Sequence, residues 1–385
     1  MRVLVTTWAW PTHYTPLVAL GWAFRADGHE VLVASQPSMA EHIRRSGLPG
    51  ISVGEDAGIA EVAARLLRQD RQARGRADRS RTVAQYAEMA ELMLDPLLRL
   101  LEDWSPGLVV FEETTYAAAL AAAHLGIPAV RHLWGVDIMS FIRGSEPWAL
   151  GRLLDRLGLA DPGTDGMATV DHCPPSLQVQ APYPRLRMRY VPYNGSGLVP
   201  RWVTEPTGRP RVCVTYGTTS AQVGDYQFIV DRIVAALSQL DVDVVVTLSA
   251  SDWRRLGEVP RNVRVTERLP LHAVLPGCDL IISQGGPGTM LTAAACGTPQ
   301  LIIPQLTDQK LIGAMLASSG AGSVLDLDQA DPDRIAVRAA EMLASRDYLA
   351  SAGRLRTEIE QQPTPLAVAR QLIALAAART GDGSR

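Results

Sequence analysis

Two stretches of the 385-residue chain open with nearly the same run of residues, and this repetition constrains the fold more than any other feature. Residues 2–7 read Arg-Val-Leu-Val-Thr-Thr, and residues 211–216 read Arg-Val-Cys-Val-Thr-Tyr. After each run, short β-branched segments alternate with amphipathic helical stretches, which is the pattern of a parallel sheet with helices on both faces. The sequence therefore predicts an α/β fold with two doubly wound domains that face each other across a cleft.

Strands, helices and domain boundaries can be placed along both halves. The predicted strands are Arg2–Thr7, Glu30–Ser35, Leu108–Glu113, Ala129–Trp134, Arg211–Tyr216, Asp243–Leu248, Val263–Arg268, Leu280–Ser283 and Gln300–Pro304. The predicted helices include Pro16–Asp27, Tyr116–Leu125, Gln227–Leu240, Met290–Cys296 and Pro365–Arg379. Proline and glycine cluster before residue 211 and predict a linker near residues 195–210. We expect an N-terminal domain over residues 1–200, a C-terminal domain over 201–364, and a last helix within 365–385 that packs back on the N-terminal domain.

The composition excludes several classes of protein. The chain is 47% hydrophobic and 20% charged with a net charge of -3, as in a globular protein whose main partner is neither nucleic acid nor an anionic membrane. No stretch reaches the ~18 uninterrupted apolar residues of a membrane span, and the first residues do not resemble a signal peptide. The four cysteines form no CxxC pair, which favours free thiols over a zinc site. We expect a cytoplasmic protein.

The loop after the first predicted strand carries a candidate for catalysis, because ligands of such sheets bind at the carboxyl ends of the strands. The loop holds His13 but no GxGxxG, which argues against a dinucleotide cofactor in this half. A histidine titrates near neutral pH and suits a general base, and Glu112, at the end of another strand, could orient its ring. The alternatives are a helix-capping or half-buried histidine and a solvated strand terminus. For Glu113 we favour the solvated strand terminus.

A glycine-rich loop in the second half indicates phosphate binding. Residues 284–289 (Gln-Gly-Gly-Pro-Gly-Thr) follow a strand and start a helix, where backbone amides and the helix dipole favour an anion. The next strand leads into Gln305, Asp308 and Gln309, whose side chains can donate to and accept from sugar hydroxyls. Alone, the glycine loop is also consistent with an ordinary strand-to-helix turn.

In combination, these motifs resemble those of a known family. They are similar to the motifs of GT-B glycosyltransferases of family 1, specifically the actinomycete enzymes that attach nucleotide-activated deoxysugars to polyketides and related natural products. The residues that carry the resemblance are 11–17 (Pro-Thr-His-Tyr-Thr-Pro-Leu), 285–289, Pro304-Gln305 and Asp308-Gln309. Residues 132–137, 173–177 and 190–195 are similar to segments of rhamnosyltransferases in this family. The resemblance covers essentially the whole chain and implies two facing Rossmann-like domains.

The resemblance also implies a reaction. The C-terminal domain would hold a TDP-deoxysugar, for which an L-sugar such as rhamnose is one candidate, with thymine near Arg268 and Leu269. The complete set of implied donor-binding residues is Gly217, Thr218, Arg268, Leu269, Ser283, Gly286, Gly288, Thr289, Gln305, Asp308 and Gln309. His13, assisted by Glu112, would deprotonate an acceptor hydroxyl, whose oxygen displaces TDP from the anomeric carbon with inversion. The TDP-sugar is a co-substrate, and no metal or separate cofactor is implied.

The N-terminal domain would bind a hydrophobic aglycone. The residues Trp8, Trp10, Trp134 and Phe141 lie at or after strand ends and could line an apolar pocket for a flat polyketide. The alternative for each of these aromatic residues is packing in the core or between domains. A homodimer is also consistent with the resemblance.

Two positions depart from the family pattern, and three other functions stay open. The family commonly has His-His where this chain has Ser283-Gln284, and more often Asp where it has Glu112. The other functions are C-glycosylation of an aromatic carbon, 2-epimerisation of a nucleotide sugar, and a non-catalytic auxiliary protein that activates a partner transferase. The retained His13 and Asp308-Gln309 favour an O-glycosyltransferase.

Overall fold

The computed structural model describes residues 1–56, 61, 65, 79–217, 227–267 and 269–382. The chain divides into two compact units, each built on one parallel sheet. Unit 1 comprises Met1–Cys173, Gln178–Arg189 and Gln362–Arg385, and unit 2 comprises Pro174–Leu177 and Tyr190–Gln361. The predicted α/β class with two doubly wound domains is confirmed.

Unit 1 contains seven strands in the order β3-β2-β1-β4-β5-β6-β7, and every neighbouring pair is parallel. The strands are β1 Arg2–Thr6, β2 Glu30–Ser35, β3 Gly50–Ser52, β4 Leu108–Glu112, β5 Ala129–His132, β6 Ala168–Asp171 and β7 Leu186–Arg187. The α-helices are α1 Pro11–Tyr14, α2 Val18–Ala26, α3 Ala40–Ser46, α4 Arg79–Trp104, α5 Tyr116–His124, α6 Glu146–Ala149, α7 Gly151–Leu157 and, at the end of the chain, Pro365–Asp382 (α16). Four 3-10 helices cover Thr15–Leu17, Pro37–Met39, Ile138–Phe141 and Arg143–Ser145.

Unit 2 contains six strands in the order β10-β9-β8-β11-β12-β13, again all parallel within the described residues. The strands are β8 Arg211–Thr215, β9 Asp243–Leu248, β10 Val263–Glu267, β11 Leu280–Ser283, β12 Gln300–Ile302 and β13 Gly322–Val324. The α-helices are α8 Arg201–Thr204, α9 Val230–Leu237, α10 Ala250–Trp253, α11 Leu271–Val274, α12 Pro287–Cys296, α13 Thr307–Ser318, α14 Pro332–Ala344 and α15 Arg346–Glu360. Three 3-10 helices cover Pro175–Leu177, Leu275–Gly277 and Leu327–Gln329.

In both units the strand order reverses next to the strand that opens the unit. The chain adds β2 and β3 on one side of β1 and then places β4 on the other side, and unit 2 repeats this around β8 with β11. Such a reversal opens a crevice at the carboxyl ends of the two central strands, where ligands of open α/β sheets bind. The loops after β1, β4, β8 and β11 are therefore the places where this fold positions a site.

The sequence pattern indicated the nine long or central strands and missed four short ones among the described residues, β3, β6, β7 and β13. All three residues of β3 are exposed, and β7 has only two residues. These strands lie toward the sheet edges, so they need no run of β-branched residues to fill two buried faces. Predicted strands that ran into the following loop, such as Arg2–Thr7, end one or two residues earlier in the structure.

The boundaries of the compact units differ from the predicted domain boundaries at residues 200/201 and 364/365. Their main breaks fall at 189/190 and 361/362, and residues 174–177 also belong to unit 2. Hydrogen bonds explain the shift, because Asn194 bonds to Thr292 inside unit 2, whereas the Arg189 amide donates to the Pro363 carbonyl inside unit 1. Proline-rich sequence marks irregular backbone without showing which neighbour that backbone binds.

Helix α16 packs against α2 within unit 1. Val368, Ala369, Leu372 and Ala376 of this helix are completely buried. Arg370 of α16 forms an ion pair with Asp27 at 2.7 Å, just beyond the end of α2. Among the described residues, no helix is long and apolar enough to cross a membrane.

Candidate functional site

A histidine and a glutamate meet at the strand-order reversal of unit 1. His13 lies in α1, directly after β1, and Glu112 is the last residue of β4. The parallel pairing of β1 with β4 brings the two carboxyl ends together. His13 Nδ1 lies 2.9 Å from Glu112 Oε1, and both side chains are buried. The two residues lie together as predicted. Neither a solvated strand terminus for Glu112 nor a merely capping role for His13 fits this geometry.

Two threonines after β4 complete the hydrogen bonding of the Glu112 carboxylate. Thr114 Oγ1 lies 2.7 Å and Thr115 Oγ1 lies 2.9 Å from Glu112 Oε2. Trp8 donates to both hydroxyls, from its indole to Thr114 and from its backbone amide to Thr115. Each hydroxyl therefore accepts from Trp8 and is left to donate to Glu112.

This arrangement determines which nitrogen of His13 is available to a substrate. Glu112 accepts from Nδ1–H, so the neutral ring carries its proton on Nδ1 and its lone pair on Nε2. A carboxylate that orients an imidazole in this way is the arrangement used by hydrolases with a histidine base. The site can accept a proton at Nε2 while Glu112 stabilises the imidazolium that results.

Aromatic rings surround His13. The Trp134 ring stacks on the imidazole with centroids 4.7 Å apart and an angle of 14° between the planes. The Trp8 ring meets the imidazole edge-on at 5.1 Å, and Trp10 stacks on Trp8 at 5.3 Å. Trp8 is almost fully buried and hydrogen-bonded, which is the packing alternative, whereas Trp10 and Trp134 are only partly buried. Phe141 lies in the 3-10 helix Ile138–Phe141 and is about half exposed.

The interpretation of Glu113 as a solvated strand terminus is wrong. Glu113 is buried, and its Oε1 accepts from the Trp134 backbone amide at 3.3 Å. Burial raises the pKa of Glu113 well above its usual range, and the nearby Asp137 adds to this shift. A strand terminus is exposed only where no other segment packs on it, and here the backbone after β5, at Trp134, contacts the Glu113 carboxyl.

The corresponding loops of unit 2 bring glycines and an amide together. Gly217 follows β8 with φ +67, and a Cβ there would overlap Nε2 of Gln284, which follows β11. A Cβ on Gly286 would lie 3.2 Å from the same nitrogen. Gln284 is buried, and its Oε1 has no hydrogen-bond partner among the described residues. Ser283 is fully buried and its hydroxyl accepts from the Gly285 amide at 3.2 Å, so its hydroxyl braces the loop.

Helix α12 begins at this loop, and its first amides have no acceptor within the helix. Gly286 is its N-cap and supplies no side-chain capping bond, and Pro287 at the first position has no N–H to satisfy. The amides of Gly288 and Thr289 in the first turn have no acceptor within the helix. A Cβ on Gly288 would meet nothing within 4 Å, so there is open space beside its backbone. This helix end can bind an anion such as a phosphate.

The three polar residues after β12 have different surroundings. Gln309 is buried, and its Oε1 accepts from the amides of Gln305 and Leu306 at 2.9 and 3.1 Å. Gln305 exchanges two hydrogen bonds with the backbone of Gln227. Asp308 lies in the first turn of α13 and is partly exposed. The predicted sugar-binding oxygens of Gln305 and Gln309 therefore already bond to protein backbone.

The remaining predicted donor-binding residues are Thr218, Arg268 and Leu269. Thr218 and Arg268 lie outside the described residues. The Leu269 side chain is buried in a core cluster with Cys213, Val245 and Ile281, so this residue can offer a ligand only its backbone.

Sequence reasoning missed several side chains that the fold brings to these loops. Thr114 and Thr115 could have been suspected, because two hydroxyls directly follow the glutamate pair. Gln284 was noted only as a departure from the family pattern, although the structure places its amide between Gly217 and Gly286. The four cysteines are free, and no group of metal-binding side chains occurs among the residues that the structure describes.

Comparison with known proteins identifies the family. Residues 22–217 match the N-terminal domain model, and residues 231–375 the C-terminal domain model, of proteins like erythromycin biosynthesis protein CIII. The chain is 36% identical to the 10-deoxymethynolide desosaminyltransferase of Streptomyces venezuelae over 98% of this chain and 97% of that protein. It is 34% identical to the tylactone mycaminosyltransferase of Streptomyces fradiae over 100% of this chain and 94% of that protein.

Solved structures give the same result. The spinosyn rhamnosyltransferase SpnG superimposes with a TM-score of 0.86 at 32% identity, covering 97% of this chain and 100% of SpnG. The glycosyltransferase VinC in complex with DTDP superimposes with a TM-score of 0.84 at 31% identity, covering 98% of this chain and 100% of VinC. The chain therefore belongs to the EryCIII-like family, the GT-B glycosyltransferases of actinomycete natural-product biosynthesis.

Proposed function

We propose that this glycosyltransferase moves a deoxysugar from a TDP-sugar to a hydroxyl group of a polyketide or related aglycone, with inversion at the anomeric carbon. The names of its relatives support the choice of substrates, since they include desosaminyl, mycaminosyl and rhamnosyl transferases. Thymidine diphosphate and aglycone complexes of SpnG support the two kinds of ligand. An L-deoxysugar remains one candidate for the donor sugar.

The observation that carries the proposal is the buried pair of His13 and Glu112, 2.9 Å apart at the strand-order reversal of unit 1. His13 Nε2 takes the proton of the acceptor hydroxyl as that oxygen attacks the anomeric carbon. The bond between the anomeric carbon and the diphosphate oxygen breaks, and its electron pair leaves with TDP. Glu112 stabilises the imidazolium, and the two threonine hydroxyls keep the carboxylate in place.

Unit 2 supplies the groups that meet the leaving diphosphate. The amides of Gly288 and Thr289, which have no acceptor within the helix, and the positive end of the α12 dipole would bind its oxygens, and the open space beside Gly288 allows close approach to the backbone. These groups stabilise the charge that develops on the diphosphate without a metal ion in the proposed mechanism. Asp308, in the first turn of α13, would accept from a sugar hydroxyl.

The aglycone would bind beside the aromatic rings next to His13. Trp10 and Trp134 are partly buried and offer flat apolar surface close to the base. Phe141, about half exposed, would extend this surface. Trp8 contributes by holding Thr114 and Thr115 rather than by contacting the aglycone.

Substitution of the base tests the proposal. His13→Ala should lower the rate of transfer by about 10²–10⁴, the usual contribution of a general base, while TDP binding stays near normal. His124→Ala is the matched control, because that histidine is exposed at the end of α5 and bonds to the Leu157 carbonyl. Equal loss of transfer and of TDP binding in His13→Ala would contradict the role of His13 as base.

The donor and the stereochemistry need their own measurements. At equal concentration, TDP should raise the melting temperature of the protein more than UDP does, because the ligand that binds the native state more tightly stabilises it more. Stronger stabilisation by UDP would overturn the donor proposal. NMR of the product should show an anomeric configuration opposite to that of the donor and a carbon–oxygen linkage, whereas a carbon–carbon linkage would establish the C-glycosyltransferase instead.

A further inference from the structure

The side chain of Asn194 joins two elements of unit 2 that lie far apart in sequence. Its Oδ1 accepts from the backbone amide of His272 at 3.1 Å and lies 3.1 Å from His272 Nδ1. Its Nδ2 donates to Thr292 Oγ1 at 3.2 Å. The backbone amide can only donate, so it determines which atom of the Asn194 amide is oxygen and which is nitrogen.

One arm of this bridge holds the start of α11. The N-cap of α11 is Pro270, which has no capping side chain, so the first amides of the helix lack an acceptor from their own chain segment. Asn194 supplies that acceptor to His272. Burial lowers the pKa of His272, which favours a neutral ring that donates from Nδ1 to the same oxygen. The segment directly before α11 contains Leu269, near which the resemblance to the family implies that thymine binds.

The other arm holds the first turn of α12. Thr292 is completely buried and donates to the Gly288 carbonyl at 2.6 Å. Tyr190 is also buried, and its hydroxyl lies 3.2 Å from Thr292 Oγ1 and 3.3 Å from the Gly288 carbonyl. Burial raises the pKa of Tyr190 to about 12, so this hydroxyl stays a neutral donor. The Gly288 amide, on the residue held here, belongs to the proposed diphosphate site.

We propose that Asn194 is a positioning residue that couples the thymine-binding and diphosphate-binding halves of the nucleotide site. This inference rests on the proposed TDP-sugar donor and extends it to a residue that contacts neither half of the ligand. Asn194 holds the start of α11 and the first turn of α12 at one separation. A nucleoside diphosphate contacts both halves of the site, so its affinity increases when the distance between them is fixed. Thymidine or pyrophosphate alone occupies only one half of the site and does not depend on that distance.

Fragment binding separates coupling from a purely structural role. The dissociation constants of TDP, thymidine and pyrophosphate are measured for wild type and for Asn194→Ala. Thymidine and pyrophosphate are measured by their displacement of TDP, because this makes weak affinities accessible. Asn194→Ala should weaken TDP by about tenfold or more, the effect of one or two lost hydrogen bonds. The affinities for thymidine and for pyrophosphate should each fall by less than about threefold.

Asn262→Ala is the matched control. Asn262 is also a partly buried asparagine of unit 2 that bridges two backbone segments, through the Leu237 and Val242 carbonyls, but it lies before β10 at the amino ends of the strands. This variant should lose thermal stability and keep wild-type affinity for all three ligands. Thr292→Val should reproduce Asn194→Ala, and Thr292→Ser should restore TDP binding, because serine keeps the hydroxyl.

Three outcomes would overturn the inference. They are TDP binding by Asn194→Ala that matches wild type, a loss for thymidine alone as large as the loss for TDP, and an equal loss in Asn262→Ala. If Asn194→Ala does not fold, comparison of Thr292→Val with Thr292→Ser tests the same coupling. A wild-type protein that binds UDP but not TDP would contradict the proposed donor, and the coupling would then be measured with UDP, uridine and pyrophosphate.

Discussion

Glu112 and Glu113 are adjacent in sequence, but their carboxyl groups differ in the hydrogen bonds that they accept. Glu112 accepts from His13 and from two threonine hydroxyls, which offsets the cost of burying a carboxylate. Glu113 accepts from the Trp134 amide, its Oε2 has no partner, and its pKa is raised well above the usual range. Glu112 is the last residue of β4 and Glu113 the first residue after it, so the two carboxyl groups meet different neighbours.

At the scale of single residues, we predict the effect of changing Glu112. Glu112→Gln keeps the size of the side chain but can present an N–H to His13 Nδ1, which favours the wrong tautomer of the base. Transfer should fall by about 10²–10⁴ while TDP binding is unchanged. Glu112→Asp, the residue more common in the family, should retain more activity than Glu112→Gln. Steady-state kinetics with a donor and acceptor used by wild type provide the measurement, and full activity of Glu112→Gln would refute the dyad.

A second prediction at this scale concerns His132, which is buried at the end of β5. Burial lowers its pKa to about 4, against about 6.5 in an unfolded chain. Between these values the unfolded state binds the proton and the native state does not. The contribution of His132 to the free energy of unfolding therefore falls as the pH is lowered, by up to about 3 kcal/mol. The raised pKa of Glu113 acts in the opposite direction, so His132 must be isolated by substitution.

The substitution is His132→Gln, with the exposed His42→Gln as control. Urea unfolding between about pH 4.5 and 6.5 should show a shallower loss of stability toward low pH in His132→Gln than in wild type. His42→Gln should follow the wild-type curve. Parallel curves for wild type and His132→Gln would show that His132 is not the titrating group.

At the scale of secondary-structure elements, the turn into α12 contains several glycines, and the physical reason for a glycine differs from one position to the next. Gly285 and Gly217 have positive φ values, which other residues adopt only with strain. Gly286 has ordinary dihedral angles but lies against the Gln284 amide. Gly288 has neither constraint, since a Cβ on it would meet open space. A glycine that the fold does not require at a helix start points to a ligand that approaches the backbone closely.

Gly288→Ala tests this interpretation. Alanine is the better helix former, so the variant should be as stable as wild type or up to about 1 kcal/mol more stable. TDP affinity should nevertheless fall by at least about tenfold if the diphosphate lies against this backbone. Gly353→Ala in α15 is the matched control, because a Cβ there also meets nothing within 4 Å. It should likewise be as stable as wild type or slightly more stable, and it should keep wild-type TDP affinity. Unchanged TDP affinity in Gly288→Ala would place the diphosphate elsewhere.

At the scale of the whole molecule, the chain uses one sheet order twice and returns to unit 1 at its end. Both sheets reverse their strand order beside the first strand of the unit, and α16 adds four fully buried apolar residues to unit 1. The exposed face of α16 includes Leu375, so the burial pattern along the helix distinguishes its two sides. The last helix thus contributes to a unit whose last strand, β7, ends at Arg187, far earlier in the chain than Pro365.

Leu372→Ala tests the contribution of α16. Loss of a fully buried leucine should cost unit 1 about 2–5 kcal/mol, because it leaves a cavity against its neighbours. Leu375→Ala, at an exposed position of the same helix, should cost less than about 0.5 kcal/mol. Hydrogen exchange followed by mass spectrometry should show faster exchange in β1–β7 of Leu372→Ala and wild-type exchange in β8–β13. Faster exchange confined to unit 2 would contradict the division of the chain.

Sequence patterns located the central strands of both sheets and the loops that carry His13, Glu112 and the glycine turn. They did so because buried parallel strands need continuous β-branched runs and because glycines before a helix are visible in the sequence. They failed at the short strands toward the sheet edges and at the burial of Glu113. Each of these depends on which segments pack together, and neighbours in sequence do not determine that.

The sequence by itself determined the α/β class, the two-fold repetition of a parallel sheet and the family to which the chain belongs. The hydrophobic periodicity of each segment and the order of the motifs can be recognised from the sequence without coordinates. Only the tertiary structure decided that Trp8 bonds to Thr114 and Thr115, that Trp134 stacks on the His13 ring, and that Asn194 joins α11 to α12. These contacts join residues about 80 to 120 positions apart, so strand register and helix packing, rather than local propensity, bring them together.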